Sequence, residues 1–448
     1  MAWLTGPGGG AATVGFIVLP MLAGAMALWG RRLGSYLASA ALLVGAALSL
    51  AVSLALHQWA NQYGTLVLVL AAAAFFISPA YLEGLAHQHP WPPGRRRAYF
   101  LLLGGFVASL MGLGQPWPLV DLWVAVEATT LTSVALVALA PGGGPFEAAW
   151  KYVTMAVFGG LVALFGILLL AQPGPEPIAL GVLLLLVGLG TKAGLVPFHT
   201  WLPDAHAEAP APVSALLSGA ELAGVLIVLR RGVDLAAVRL QSPWPHDVLL
   251  GLGLVSVAAG VALIPRQANL KRMFAYSSVE HMGVIAVGFG LGGLAALGAL
   301  LHVFTHGLAK AQAFYLSGGV QARYGTVEVE RIGHLHRHLP WTSGGLLVSV
   351  AALAGVPPLG PFWSEWLVVL GAFETAGRAW VGIVLAALLA GGFLALAYRT
   401  PRLWYQAREP RDIADPTPEP VGFWLPSMAL SLLTASAGIL VPWLYRGI

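Results

Sequence analysis

The strongest constraint on this chain is its succession of apolar runs, each about as long as a bilayer is thick. A helix needs about 17–25 mostly apolar residues to cross the hydrocarbon core. Such runs fall at 11–29, 33–56, 64–84, 97–114, 118–140, 150–172 and 178–199, then at 209–229, 246–264, 273–291, 294–318, 343–368, 378–398 and 422–442. The joints are rich in glycine, proline and charge, as in HPWPPGRRR (89–97) and PGGGPFEAAWK (141–151). No soluble domain interrupts the series. Composition agrees: 58% of residues are hydrophobic and 9% charged, with a mean hydropathy of +0.79, against about 25% charged in a soluble domain. The expected fold is an all-α polytopic membrane protein of about 14 transmembrane helices.

The placement of the 23 cationic residues tests that count. With the N-terminus outside, alternate loops facing inward hold Arg31, Arg32, Arg95, Arg96, Arg97, Lys151, Arg266, Lys271, Arg272, Arg323, Arg331, Arg337, Arg399, Arg402, Arg408 and Arg411. The outward side holds only Arg230, Arg231, Arg239, Arg378 and Arg446. This bias follows the positive-inside rule; one miscounted span would scramble it. Both termini are expected outside, in a prokaryotic cytoplasmic membrane. No basic segment precedes the first apolar run, so no cleavable signal is expected.

Four cationic residues are lysines: Lys151, Lys192, Lys271 and Lys310. Arginine keeps its proton at essentially any pH, whereas a desolvated lysine can release one. Lys192 and Lys310 lie inside spans, where a charge costs about 2.5–3.5 kcal/mol on insertion scales and is usually paired and functional. Lys151 and Lys271 sit at span ends, where anchoring is an equal alternative. Acidic residues at depth are Glu127, Glu221, Glu280 and Glu365; Glu221 is open between a structural and a functional role. In LLHVFTHGLAKAQAFY, His302, His306 and Lys310 are spaced by four and share a helical stripe. Imidazoles beside a lysine suit proton relay. The two histidines also have metal-ligand spacing, but no HExxH motif or thiol accompanies them and a lysine repels a cation. No metal is expected.

Two spans carry proline beside charge: TKAGLVPFHTWLP around Lys192, and LAGVPPLGPFWSEW around Glu365. Proline breaks a helix, and in lipid the freed carbonyls need protein or water. Interrupted seventh and twelfth spans, an odd offset apart, fit two inverted five-helix repeats with sites near mid-membrane. The expected units are 97–231 and 232–400, after an N-terminal part (1–96) and before a C-terminal loop and span (401–448). Glu365 stands as the repeat counterpart of Lys192. Asp204 and His206, just past the first break, either admit protons or cap the next helix. The chain has no cysteine, which removes thiolate ligation of iron–sulfur clusters and thiol catalysis. No cofactor, and no redox or hydrolytic site of its own, is expected; electrons would run through partner subunits.

The stretches GTKAGLVPFHTWLPDAHAEAPAPVSALLSG (190–219), ANLKRMFAYSSVEHMG (268–283) and HVFTHGLAKAQAFYLSGG (302–319) resemble the antiporter-like membrane subunits shared by respiratory complex I, Mrp-type sodium/proton antiporters and energy-converting membrane-bound hydrogenases. The acidic–His281 pair in YSSVEHMG is most similar to the hydrogenase-4 and formate hydrogenlyase branch. The resemblance implies a proton-translocating subunit of a redox-driven complex, with neighbouring antiporter-like subunits and a redox arm carrying Fe–S clusters as partners. It implies that Glu127 pairs with Lys192, that Lys310 with His302 and His306 forms the central axis, and that Glu365 ends the channel, with Glu280 and His281 in support. One departure falls on the eighth span, where relatives place lysine or histidine and this chain has Ser218 and Ala223 with Glu221 between them. A second is that the sequence stops at Ile448, so the long lateral helix of some relatives is not expected. Alternatives are an Mrp-like Na+/H+ exchanger, with Glu280 and Glu365 as sodium ligands, a subunit of proton-coupled inorganic-carbon uptake, and a passive scaffold.

Because the native chain has no cysteine, its topology can be read by single substitutions. A membrane-impermeant maleimide should label Gln172→Cys in intact cells and leave Gly94→Cys unlabelled until the cells are opened. The reverse pattern would overturn the orientation.

Overall fold

The structure, a computed structural model, describes residues 7–29, 32–55, 61–85, 90–405 and 419–445. Arg31, Arg408, Arg411 and Arg446, used in the charge count, lie outside the described residues. In chain order the helices are α1 (Pro7–Met26), α2 (Leu33–Ala55), α3 (Asn61–Leu85), α4 (Pro93–Leu113), α5 (Leu119–Ala138), α6 (Gly144–Leu170) and α7 (Pro175–Lys192). Next come α8 (Leu202–Glu208), α9 (Ala211–Leu216), a π turn (Leu217–Glu221), α10 (Leu222–Leu240), α11 (Trp244–Leu263), α12 (Leu270–Leu291) and α13 (Gly293–Tyr324). The remainder are α14 (Leu335–His338), α15 (Pro340–Leu353), α16 (Gly360–Glu374), α17 (Ala379–Arg399), α18 (Arg402–Tyr405) and α19 (Val421–Tyr445).

Eleven helices among the described residues are long and apolar enough to cross a membrane. Each of the fourteen apolar runs falls on a helix or a broken helix. Three do not meet the criterion alone. In the first run the described side chains cover only Ile17–Met26 of α1. Glu280, His281 and several serines lower the hydropathy of α12. The run at 343–368 is split into α15 and α16.

Local chemistry sets the ends. Proline occupies the first turn of α4, α6, α7, α11 and α15, where a missing N–H costs nothing. Asn269 caps α12, its side chain accepting from the Arg272 N–H at 3.0 Å. The longest helix, α13, packs on α3, α9, α12, α15, α16 and α19 and forms the centre of the bundle. At 1.5 Å per residue its 32 residues exceed the roughly 30 Å hydrocarbon core.

Both proline-bearing spans are broken, and in the same way. After α7, Gly194 takes φ +72°, and after α15, Gly355 takes φ +67°. In the first break Gly194 N–H donates to Thr191 O, Leu195 N–H to Gly190 O and Phe198 N–H to Leu195 O. In the second, Gly355 donates to Ala352, Val356 to Ala351 and Leu359 to Val356. Each break also contains a cis X–Pro bond, Val196–Pro197 and Pro357–Pro358. This shared register corrects one expectation: Leu353, not Glu365, stands opposite Lys192. Glu365 corresponds to Asp204, each ten residues beyond its glycine.

Glycine seams bring two helix pairs into backbone contact. On α6 and α7, a Cβ at Gly188 would lie 2.4 Å from Gly159 O, and one at Gly166 2.6 Å from Gly181 O. On α11 and α12, a Cβ at Gly253 would lie 2.8 Å from Gly283 O, and one at Gly283 2.6 Å from Gly253 O. Small residues at helix interfaces are how membrane helices gain close packing. Gly253→Val should therefore cost about 1–3 kcal/mol by overpacking and lower the monodisperse fraction in detergent chromatography. Gly251→Val, at a position with nothing within 4 Å, should behave as wild type.

Candidate functional site

The chain of buried polar groups begins where α7 stops. Lys192 Nζ lies 2.9 Å from Glu127 Oε1 of α5 and donates to Thr130 Oγ1 one turn further along that helix. The amine is 3% exposed and the carboxylate 19%, so the acid is the member within reach of a neighbour. Gly160 on α6 leaves the space: a Cβ there would sit 2.0 Å from Glu127 Oε1. Trp201 closes the break from the far side, donating its indole N–H to Thr191 O at 2.8 Å and stacking on Tyr152 with centroids 4.2 Å apart. Tyr152 in turn donates to Glu221 Oε1 at 3.2 Å and bonds Ser133 Oγ at 2.9 Å. Glu221 is buried within electrostatic reach of both Lys192 and Glu127.

Glu221 ends the π turn, whose extra residue per turn alters which side chains face inward. The same turn holds Ser218, whose Oγ lies 2.6 Å from Ser278 Oγ on α12. One residue earlier, Ser277 Oγ accepts from Lys310 Nζ at 2.8 Å, and Phe274 O accepts from the same amine at 3.1 Å. Lys310 is fully buried. Beyond it lie three buried imidazoles. His281 Nδ1 and His302 Nε2 are 3.0 Å apart, and His302 Nδ1 reaches Ser364 Oγ at 2.9 Å. His306 packs on both, with centroids 4.7 Å from His281 and 5.7 Å from His302. His281 Nδ1 is 3.6 Å from Glu365 Oε1. Glu365 borders a cavity of about 300 Å³ between α16 and α17, bounded by Gly355, Trp366 and Phe393.

The three histidines place one nitrogen each within 4.8 Å of the others. Spacing along the sequence pairs His302 with His306; the fold adds His281. Two of the nitrogens already share a 3.0 Å hydrogen bond, and the Lys310 charge acts on all three rings. His281, His302 and Ser364 form a hydrogen-bonded series beside a cation, and His306 packs against it through ring contacts.

The remaining candidates divide. Glu280 is buried on α12, its Oε1 against Gly392 of α17, and acts electrostatically on Lys310. Asp204 is clamped between Arg272 (2.9 Å) and Lys151 (3.3 Å), which ties α8 to α12 and α6. His206 is fully buried against Phe314, with ring centroids 5.1 Å apart. Lys271, open in sequence between an anchoring and a functional role, is buried and donates to Ala207 O and Ala209 O. The hydroxyls of Thr130, Tyr152, Ser277, Ser278 and Ser364 were not singled out from sequence. Serine and threonine usually satisfy themselves on a carbonyl one turn back, as Ser278 also does on Phe274 O, so nothing marks them in advance.

A transmembrane family described as NADH:quinone oxidoreductase/Mrp antiporter matches residues 118–390. The chain belongs to this family. Among curated relatives, a hydrogenase-4 component F homolog from Methylacidiphilum infernorum is 34% identical over 350 residues, 72% of this chain and 71% of that one. NADH-quinone oxidoreductase subunit N from Desulforudis audaxviator is 30% identical over 357 residues, 75% and 70% of the two chains. Among solved structures, a chain of the Mrp complex from Dietzia sp. DQ12-45-1b superposes with a TM-score of 0.81 at 18% identity, covering 97% of this chain and 95% of that one. A chain of the membrane-bound sulfane sulfur reductase, an archaeal respiratory membrane complex, gives 0.80 at 21% identity over the same shares. These structures share the polytopic fold, and the chain is a multi-pass membrane protein of this family.

The cavity beside Glu365 gives a direct check. A membrane-soluble carbodiimide should modify Glu365 and spare Glu280, which is walled in by Gly260 and Gly392; peptide mass mapping reads the site. Modification of Glu280 with Glu365 untouched would contradict this placement.

Proposed function

We propose that the chain is the proton-translocating membrane subunit of a complex-I-like, redox-driven pump of the hydrogenase or quinone oxidoreductase kind. The observation that carries the reading is the buried Lys192–Glu127 pair at the stop of a broken helix. Hydroxyl groups continue from its neighbourhood to a second buried lysine. The chain makes fourteen crossings of a prokaryotic cytoplasmic membrane, with both termini outside and the arginine-rich end toward the cytoplasm. Two inverted units, 97–231 and 232–400, follow an N-terminal part (1–96) and precede a C-terminal part (401–448). The recurrence of the same backbone turn at Gly194 and Gly355 supports that division. Partners are neighbouring antiporter-like subunits and a redox arm with Fe–S clusters.

In this mechanism Glu127 holds Lys192 as an ammonium, since an opposite charge at 2.9 Å favours the charged form. When a neighbouring subunit draws Glu127 away, a lone ammonium in the interior becomes the costlier state and its proton leaves. Glu221 and Tyr152 lie beside it, and the Ser218–Ser278 contact bridges α9/α10 to α12. This fills the gap that the eighth span showed in sequence. Lys310 next takes up charge, and His306, His302 and His281 pass a proton to Glu365. Ser364 fixes the His302 ring by accepting at, or donating to, Nδ1. Water completes the steps between groups not in direct contact. A Mrp-like exchanger would use the same carboxylates for sodium, and sodium dependence of transport separates the two.

Lys192→Met should abolish proton pumping in sealed vesicles, followed by a pH-sensitive dye, while the complex still assembles. Lys192→Arg should fail as well, because a guanidinium keeps its proton. Full pumping by either assembled variant would overturn the scheme.

A further inference from the structure

His206 and Lys271 stand between the arginine-rich end and the centre of the bundle, and the path from Lys192 to Glu365 does not use them. His206 is fully buried, and neither ring nitrogen has a hydrogen-bond partner. The ring therefore caps no helix. A neutral imidazole carries one donor and one acceptor, and leaving them unmet in the interior is costly. An apolar ring would pack on Phe314 without that cost, so the imidazole needs a reason.

Lys271 is the second such group. It is fully buried, although Arg272 beside it in the first turn of α12 has a side chain 41% exposed. Its amine donates to Ala207 O at 2.9 Å and to Ala209 O, the carbonyls on either side of Glu208. Glu208 is exposed and acts electrostatically on the amine. Asp204, the other nearby acid, is already clamped by Lys151 and Arg272. Ser214 Oγ donates to His206 O at 2.9 Å and fixes the end of α8.

The positions continue inward on two helices. Along α12, Lys271, Phe274 and Ser278 are spaced by three and four and share one face. Phe274 O accepts from Lys310 at 3.1 Å. Along α13, Phe314 lies four residues past Lys310 on the same stripe, toward the arginine-rich end. The His206 ring packs against that phenylalanine, with centroids 5.1 Å apart. Both Lys271 and Lys310 act electrostatically on the ring. From Lys271 to Ser277, whose hydroxyl accepts from Lys310, α12 rises about 9 Å. One imidazole with water on either side can bridge that span.

We propose that Lys271 and His206 form an entry branch that carries protons from the arginine-rich surface to Lys310. The branch rests on the transport reading above and supplies Lys310 alongside the path from Lys192. Lys271 gives a proton to the His206 imidazole and regains one from the surface beside Glu208. The imidazolium then gives its proton to the neutral Lys310 amine. Each transfer moves one proton and leaves the ring as it began.

The test uses the assembled complex in sealed inverted vesicles, whose medium bathes the arginine-rich end, with dye-monitored pumping as the readout. His206→Ala should pump at least about tenfold more slowly. Imidazole in the medium should restore pumping, and pyrazole, a ring of the same shape but a far weaker base, should not. Rescue by both rings equally, which would mark a packing role, or by neither, would overturn the proposal. His206→Gln keeps a donor and an acceptor without a titrating ring, and Lys271→Arg keeps the donation to Ala207 and Ala209 without releasing a proton. Both should assemble and pump poorly; full pumping by either would also overturn the branch. Lys192→Met in the same vesicles separates the two readings. If it is silent while His206→Gln pumps fully, the entry branch alone falls; if it pumps, the transport reading falls with it.

Discussion

A lysine buried where a membrane helix stops needs a counter-charge and a set of backbone partners at once, and the first half of the bundle is arranged around that need. Glu127 supplies the charge at 2.9 Å. The turn at Gly194 returns freed carbonyls to Leu195 and Gly194, and Trp201 takes the Thr191 carbonyl. Glycines at 159, 160 and 188 bring α6 close enough to α7 and to the Glu127 carboxylate for the pair to be enclosed. Without Glu127, a charge that already costs about 2.5–3.5 kcal/mol to insert loses its counter-ion. The proline, the glycines and the distant glutamate are therefore one structural unit, although they are scattered over three helices and the break after α7.

Much of this was legible in the sequence, for physical reasons that also mark the boundary. Apolar runs of bilayer length are unambiguous, because lipid imposes a length and leaves no alternative to a helix. Lys192 and Lys310 stand out because charge at that depth is rare. The seventh and twelfth spans were read as broken because proline cannot continue a helix. The register of the two breaks is not legible there: charge singles out Glu365 as the match of Lys192, whereas the backbone hydrogen bonds align Lys192 with Leu353. Nor was the bridge across the eighth span. Ser218 and Ser278 are ordinary residues that become a connection only because a π turn rotates one toward the other. His281 was noted beside Glu280, but its junction with His302 depends on how α12 packs on α13.

The two breaks share a backbone and divide the chemistry. The first carries an amine at its stop, with a carboxylate brought in from α5. The second carries Leu353 at that position and places its carboxylate, Glu365, ten residues past the glycine, beside His281. The residue at that register in the first break, Asp204, is held instead between Lys151 and Arg272 at the arginine-rich end. Pseudo-symmetric openings with unlike side chains give the buried axis two distinguishable ends, cationic at one and carboxylic at the other. The difference between the two ends comes from side chains alone, since the backbone turns at Gly194 and Gly355 are alike.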